Sequence, residues 1–386
     1  MNIAPNSVTK NTIDALYDQA VAFVIKCKDT SCSGLQRHLH IGYSLALALS
    51  KRMEKNGIFA GIETRSYRAE LERVTIKVID IGVAGCNLMR EIIGKDISGV
   101  EIISVKAGVP TFRRSSRHKV IPTGEVNRNI RIKPEDKHQL PLNSRLPIEE
   151  ALSGAHIVFV VAGMSDDTRY GDASIIAQIA GKQGALSIVV VYRPSSFDNT
   201  QCQKVADDEL RVMKPPADAL FVISNTRQGE LDDHATVTSP FVANTTSGEI
   251  ASKWIRCMVS FMIKPSLLHV GLNDFCHAMT GSHKNGCAII KPAGGQAQGL
   301  DRAAHATAKA LAHPSFREHL SQADGILYII TTANSKNLTG CELSQISEEI
   351  QKHISECCFC LCNVRYEPDM PLDGLKMEIL ASHWAE

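Results

Sequence analysis

Two hydrophobic periodicities divide the chain. Up to about residue 73 the apolar positions recur at helical spacing, and in "IDALYDQAVAFVIKC" Leu16, Ala20, Phe23 and Val24 share one face. A second helix fits "SCSGLQRHLHI", opened by a serine able to cap it, and a third, "GYSLALALSKRMEKN", stops at Gly57. The turn-rich "GIFAGIETRSYRAELERV" has room for a small hairpin, and three helices with a hairpin make a winged helix. From residue 74 the pattern changes. "VTIKVIDIGVAG" is a buried run ending in glycines, "CNLMREIIGKDI" has helical spacing, and "GVEIISVKAG" is the next run, a βαβ opening. "AHIVFVVAG", "ALSIVVVYRP" and "ADALFVISN" follow, separated by helix-length segments such as "DASIIAQIAGKQG". These runs do not alternate apolar with polar, which predicts a parallel sheet covered on both faces.

Composition adds bounds. With 386 residues, 44% hydrophobic and 22% charged, the chain is expected to form two or three globular domains. No apolar run reaches membrane-spanning length and the N-terminus lacks a signal-peptide layout, so a soluble, cytoplasmic protein is expected. The 12 cysteines are scattered through apolar segments, which predicts reduced core thiols. A net charge of +1 argues neither for nor against a polyanionic partner.

One stretch has the layout of an anion-binding turn. In "VVAGMSDDTRYGDASIIAQIA" a strand runs into Gly163 and a helix is expected from about Asp172, the arrangement in which backbone N–H groups meet a phosphate. Its centre, however, is Ser165, Asp166, Asp167, Thr168, Arg169 and Tyr170 rather than glycine.

"LYDQAVAFV", "GLQRHLHIGYSLA" and "MEKNGIFAG" resemble the gamma domain of the FtsK DNA translocase, over about residues 12 to 73. The resemblance implies a winged helix whose third helix enters the major groove with polar and arginine side chains in its first two turns. After Gly42 and Tyr43 this chain has Ser44, Leu45, Ala46, Leu47, Ala48 and Leu49 instead. Arg37, Ser44, Lys51, Arg52, Lys55, Arg65 and Arg68 are the candidate DNA contacts. Residues 1–73 hold ten Lys or Arg against seven Asp or Glu, a net of +3, enough for some phosphate contacts and little base discrimination. Two other readings stay open: a solvated helical face, or a leucine-rich third helix docked on protein.

Across residues 74 to 384 the runs resemble FtsZ, of the tubulin/FtsZ family. "IKVIDIGVAGCN" is similar to its first strand and turn, "GAHIVFVVAGM" to the strand before its glycine-rich signature loop, and "RPSSFDN" and "ADALFVISNTR" to later strand-end loops. "GLNDFCHAM", "GLDRAAHATAKALAHPSF" and "ADGILYIITTANSKNLTGCELSQISEEI" resemble the co-catalytic loop and second domain. The implied fold is α/β: a Rossmann-like parallel-sheet domain, a central helix and a smaller α+β domain, preceded by the winged helix. The expected domains are 1–73, 74–243, 244–270 for the central helix and connection, and 271–386.

The resemblance also implies GTP, held by loops at the strand ends. The matching positions are Gly82, Gly85, Asn87, Gly163, Thr168, Gly171, Arg193 and Asn225. The first loop has Val83, Ala84 and Cys86 among its glycines, and the next reads Lys106, Ala107, Gly108, Val109, Pro110 in place of polar residues. Residues 111–133, "TFRRSSRHKVIPTGEVNRNIRIK", carry seven Lys or Arg and one acid, either a phosphate-attracting strip or a solvated surface loop. In the signature loop, Asp166 and Asp167 would stand where phosphate oxygens belong. Like charges about 4 Å apart repel by roughly 4 kcal/mol at an effective dielectric near 20, or about a thousandfold in affinity. The same aspartates would cap the following helix, so the protein would supply its own anion; a divalent cation bridging them to a nucleotide is the other way to use them.

Hydrolysis in this family uses an Asn-x-Asp-Phe-x-Asp segment that the neighbouring subunit inserts. Aligned on Asp274 and Phe275, this chain has Leu272 and His277 at the outer positions, leaving Asp274 as the residual catalytic residue. His277 is either a base or a packing residue. The guanine-reading Asp falls near Ser252. "ECCFCLCNV" places Cys358, Cys360 and Cys362 on one strand face, which reads as core rather than metal site, and no metal is expected. The sequence stops at "KMEILASHWAE", so the tail through which FtsZ recruits membrane-tethering partners is not expected, nor is a membrane partner.

The expected function is that of a cell-division-associated pseudo-GTPase scaffold linking DNA to FtsZ-type filaments or to itself, with GTP bound weakly or not at all. An active GTP-hydrolysing polymer and a winged-helix regulator that dimerises through its body are the alternatives.

Overall fold

The computed structural model describes residues 10–27, 35, 38–39, 41, 43–58, 74–81, 100–106, 118–122, 142–163, 170–193, 204, 207, 210–211, 216–224, 247–263, 270–280, 286–334, 337–355 and 357–385. The chain divides into two compact units that are not contiguous in sequence. One contains residues 74–260, 282–293 and 383–386; the other contains 1–73, 261–281 and 294–382.

The first unit is built on a parallel sheet. Its strands are β1 (Ile76–Ile81), β2 (Val100–Lys106), β3 (His118–Pro122), β4 (Ile157–Gly163), β5 (Leu186–Arg193), β6 (Ala219–Ser224) and the start of β7 (Cys287–Gln298), in the order β3-β2-β1-β4-β5-β6-β7. Each neighbouring pair is parallel. All six residues of β1 are buried, the consequence of helices on both faces of a parallel sheet. On one face Ile79, Ile81, Ile103, Val160 and Val191 pack with α3 (Leu142–Leu152) and α4 (Tyr170–Lys182) through Ile148, Leu152, Ile176 and Ala180. Val78, Ile102, Phe159, Val190 and Phe221 are buried at the intervening positions.

Polar residues at the strand entries tie the layers together. The buried Lys77 Nζ donates to the Ala151 and Ser153 carbonyls at 2.7 and 3.0 Å, capping the C-terminus of α3, and lies 3.1 Å from the Glu101 carboxylate. The Asp218 carboxylate accepts from both the N–H and the hydroxyl of Ser187 at 2.7 Å, which fixes β6 against β5.

The long helix α5 (Ser247–Ile263) has a broad buried face of Ile250, Ala251, Trp254, Ile255, Met258 and Phe261. In the second unit β8 (Gly325–Thr332) pairs antiparallel with β10 (Gly374–Ala385) and parallel with β9 (Phe359–Tyr366). Around them lie α6 (Leu272–Thr280), α7 (Arg302–Ala310), α8 (Pro314–Ser321) and α9 (Gly340–Gln351). A capping box between Thr339 and Glu342 starts α9.

Arg302 organises this unit. Its Nε is 2.7 Å from Glu342 Oε1, its Nη1 donates to the carbonyls of Gly374 and Leu372 at 3.2 and 3.4 Å, and its Nη2 donates to the Asn337 carbonyl. The N-terminal helices α1 (Lys10–Cys27) and α2 (Tyr43–Lys55) share a core of Ala20, Val24, Leu35, Leu45, Ala46, Leu49 and Met53.

The structure adjusts three expectations. The basic stretch 111–133 is not wholly a surface loop: His118–Pro122 forms the edge strand β3, held by a buried Ile121 and pairing with β2. The helix expected from Asp172 begins at Tyr170. Leu45 and Leu49 are fully buried in the N-terminal core, which removes them from any protein-docking face. The expected helix over 86–97 lies outside the described residues, as does the hairpin over 57–74 apart from its ends.

Candidate functional site

A parallel sheet gathers the C-terminal ends of its strands at one edge, where α/β folds bind ligands. Gly163 ends β4, Arg193 ends β5 and Gly171 is the second residue of α4. The β4–β5 register pairs Gly163 with Tyr192, so Gly163 and Arg193 lie on adjoining strand ends. Gly82 follows the last residue of β1 and Asn225 the last of β6 in sequence. These two, with Gly85, Asn87, Thr168, Asp166 and Asp167, lie outside the described residues.

Several polar groups at this edge are buried. Asp80, penultimate in β1 and in register with Ser104, is 0% exposed, and Asp172 in the first turn of α4 is 2% exposed. The Tyr192 hydroxyl is buried without a hydrogen-bond partner among the described residues, and burial raises its pKa. Ser252, on the buried face of α5, likewise has no partner for its hydroxyl among the described residues. Asp80 is the residue that sequence reasoning passed over. Its signal was one acid inside the apolar run "IKVIDIGV", a position where burial costs several kcal/mol unless the carboxylate is compensated.

The co-catalytic positions fall on α6. Asp274 is in its first turn, where the helix dipole favours a carboxylate, and is only 4% exposed. Phe275 anchors the turn: it is fully buried, its N–H donates to the Gly271 carbonyl at 3.0 Å, and its ring is 6.3 Å from Phe261. The His277 ring stands edge-on to Phe359 at 4.6 Å with an interplanar angle of 82°. Behind α6, β8 comes close at Gly325, where an added Cβ would lie 2.0 Å from the Ala278 carbonyl oxygen. The Ser382 hydroxyl donates to the same carbonyl.

Cys360 and Cys362 on β9, with Cys358 just before it, are packing residues in this environment. Cys358, Cys360 and Cys362 are buried; burial, with Asp324 adding, pushes the Cys358 thiol up to about 12, and burial holds Cys360 well above the usual thiol range. No group of three metal-ligating side chains occurs among the described residues.

In the N-terminal domain, Arg52 pairs with Asp14 and its guanidinium lies 4.5 Å from the centre of the Tyr17 ring, whose hydroxyl accepts from Asn56 Nδ2 at 2.7 Å. Ser44, Lys51 and Lys55 are on α2, the helix expected to face DNA, while Arg37, Arg65 and Arg68 lie outside the described residues. No helix among the described residues is long and apolar enough to cross a membrane.

A parallel sheet together with a smaller α+β unit that carries α6 defines a tubulin/FtsZ-type fold. Comparison with known proteins agrees. The Ftsk gamma domain family matches residues 11–70. The chain is 28% identical over 312 residues to the cell division protein FtsZ of Pseudomonas putida, covering 80% of this chain and 76% of that protein. Its fold is similar to the empty FtsZ dimer of M. jannaschii, with a TM-score of 0.65 and 19% identity over 85% of this chain and 92% of that one. It is also similar to the GTPγS-bound protofilament of CetZ2 from Haloferax volcanii, with a TM-score of 0.57 and 16% identity over 81% and 94% of the two chains. The chain is an FtsZ homologue of the tubulin/FtsZ family with an FtsK gamma domain, a winged helix, at its N-terminus.

Proposed function

We propose that this FtsZ homologue is a division-associated scaffold that does not hydrolyse GTP, touching DNA through its winged helix and FtsZ-type filaments or itself through its body. The observation that carries this reading is on α6. Of the two positions that would need carboxylates to activate water, one is a nearly buried Asp274, and the other is His277, whose ring is engaged edge-on with Phe359. An imidazole committed to an aromatic contact is poorly placed to take a proton from water. The loop sequence supports the same reading, because Asp166 and Asp167 oppose a triphosphate electrostatically. The buried Asp80 adds a further acid to a strand that ends at this edge.

Without hydrolysis, association of the body is set by concentration and partner affinity rather than by a nucleotide clock. The N-terminal net charge of +3 supports phosphate contacts with little base discrimination. Arg52 is already held by Asp14, so Lys51, Lys55, Arg37, Arg65 and Arg68 would carry those contacts.

Calorimetric titration of the full chain with GTP and magnesium, alongside phosphate release, tests the nucleotide part. Expected are absent or weak binding, no turnover, and a gain in affinity on D166G/D167G. About one GTP per purified chain with measurable turnover overturns it. DNA binding is expected to fall with salt and to weaken on K51E/K55E; affinity unchanged by salt points to a protein partner instead.

A second reading, a nucleotide-bound polymer, is favoured by the likeness to the GTPγS-bound CetZ2 protofilament. It would use Gly82, Gly85, Asn87, Gly163, Thr168, Gly171, Arg193 and Asn225 for GTP and Asp274 for water. The same titration separates the two.

A further inference from the structure

The two N-terminal helices are covered unequally. α1 has an open face, on which Asp14, Asp18, Ala22 and Ile25 are exposed. α2 shows none over its first half. Of its residues described between 45 and 50, Leu45, Ala46 and Leu49 are fully buried in the N-terminal core, and Ala48 and Ser50, at helix positions off that core face, are half-buried.

A second surface lies beside that helix. Residues 1–73 and 294–382 belong to one compact unit, and within it α2 lies against β9. β9 is a strand that needs cover. It ends the strand order with β8 as its one neighbour among the described strands, yet Phe359 to Arg365 are all buried, and "FCLCNV" holds neither a charge nor a proline. Apolar edges of this kind pair with other chains when left open, and a helix packed over them prevents it.

α2 is also the helix expected to face DNA, with Ser44, Lys51 and Lys55 along it. An α-helix with its side chains is about 10–12 Å across and the major groove about 12 Å wide, so a helix seated there has both flanks between the phosphate walls and only its inner face free for protein. We propose that the winged helix is autoinhibited in cis: α2, docked on β9, is withheld from DNA until it leaves that strand, so that DNA binding and the covering of β9 exclude each other. The inference rests on the DNA reading above and adds its control. With the released form at on the order of a tenth of the population, the apparent affinity for DNA is about tenfold below that of a permanently released chain.

Hydrogen exchange of the full chain with and without a short DNA duplex at low salt tests it, while fluorescence anisotropy of the same duplex reports binding. Saturating duplex is expected to speed exchange in residues 359–366 as their cover is lost. Duplex that binds while exchange there stays unchanged or slows overturns the inference and leaves DNA binding standing. Ala48→Trp sets a bulky side chain on the half-buried flank of α2. Without DNA it is expected to speed exchange in 359–366 and leave α1 unchanged, and it should bind the duplex about tenfold more tightly than the wild type. Ser50→Gln repeats the test with a smaller side chain if exchange of α1 shows that the tryptophan disturbs the domain. Exchange in 359–366 that ignores both substitutions, or that rises with no gain in affinity, overturns the inference. If neither the wild type nor the opened variants bind duplex, the DNA reading itself falls and takes the inference with it.

Discussion

The Arg302 hub and the strand-end edge treat buried polarity in opposite ways. Every nitrogen of Arg302 has an acceptor, and its partner Glu342 is also held by the Thr339 N–H at 2.8 Å. At the strand ends the Tyr192 hydroxyl is buried without such an answer among the described residues, as is Ser252 on α5. Polar groups that exist for structure come in matched sets, because an unmatched one costs about 1–3 kcal/mol. Unmatched groups at the strand-end edge mark positions whose chemistry is not set by packing.

The largest effect is expected from breaking the hub. Arg302→Ala leaves Glu342 and the carbonyls of Asn337, Leu372 and Gly374 without their donor, and is expected to cost about 3–5 kcal/mol in urea unfolding. Arg302→Lys keeps the charge but not the fork of donors, and should recover less than half of that loss. A loss below about 1 kcal/mol would mean that the hub is a surface ion pair of ordinary worth.

Gly325→Ala probes the support behind α6. Its methyl would meet the Ala278 carbonyl oxygen at 2.0 Å, a backbone atom that cannot swing aside, so a destabilisation of about 1–3 kcal/mol is expected. The methyl is expected to push α6 aside, so nuclear magnetic resonance of the His277 imidazole should report a changed ring environment. An unchanged imidazole signal would show that β8 moves instead.

Tyr192→Phe sharpens the other side of the comparison. Deleting a buried hydroxyl that has no partner among the described residues removes an uncompensated desolvation, so stability should rise by about 1 kcal/mol, read as a higher melting temperature. A fall in stability would show that the hydroxyl has a partner in the folded chain.

Much of this architecture was legible in the sequence. The uninterrupted apolar runs become β1, β2, β4, β5 and β6, and Gly57, with φ of 71°, ends α2 where the sequence placed a stop. Three features were not legible. β3 depends on a single buried Ile121 within a basic stretch and on pairing to β2, neither of which leaves a periodic trace. Arg302 looks like any helix-start arginine until residues 35 to 72 positions away close around it. His277 can be read as a base or, as is commoner for a lone His beside an apolar helix, as a packing residue until Phe359, 82 positions later, meets its ring. Local pattern specifies elements, whereas the partner of a polar side chain is a tertiary fact.

The smallest effect is the acid dependence of the hub. Burial alone would raise the Glu342 pKa, but the hydrogen bonds from Arg302 and from the backbone and side chain of Thr339 outweigh it, and the net direction is downward. A carboxyl held lower in the folded state than its unfolded value of about 4.3 contributes stability that is fully present above that value and is lost as pH falls through the folded pKa. The melting temperature should therefore decline below about pH 4, and Glu342→Gln should flatten that part of the decline while lowering stability at neutral pH. In Arg302→Ala the lowering hydrogen bonds from the guanidinium are gone, so the acid-dependent step should shrink as well. If Glu342→Gln leaves the acid limb unchanged, carboxylates elsewhere dominate it, with Glu349, also lowered by its hydrogen bond to Lys352, the next to replace.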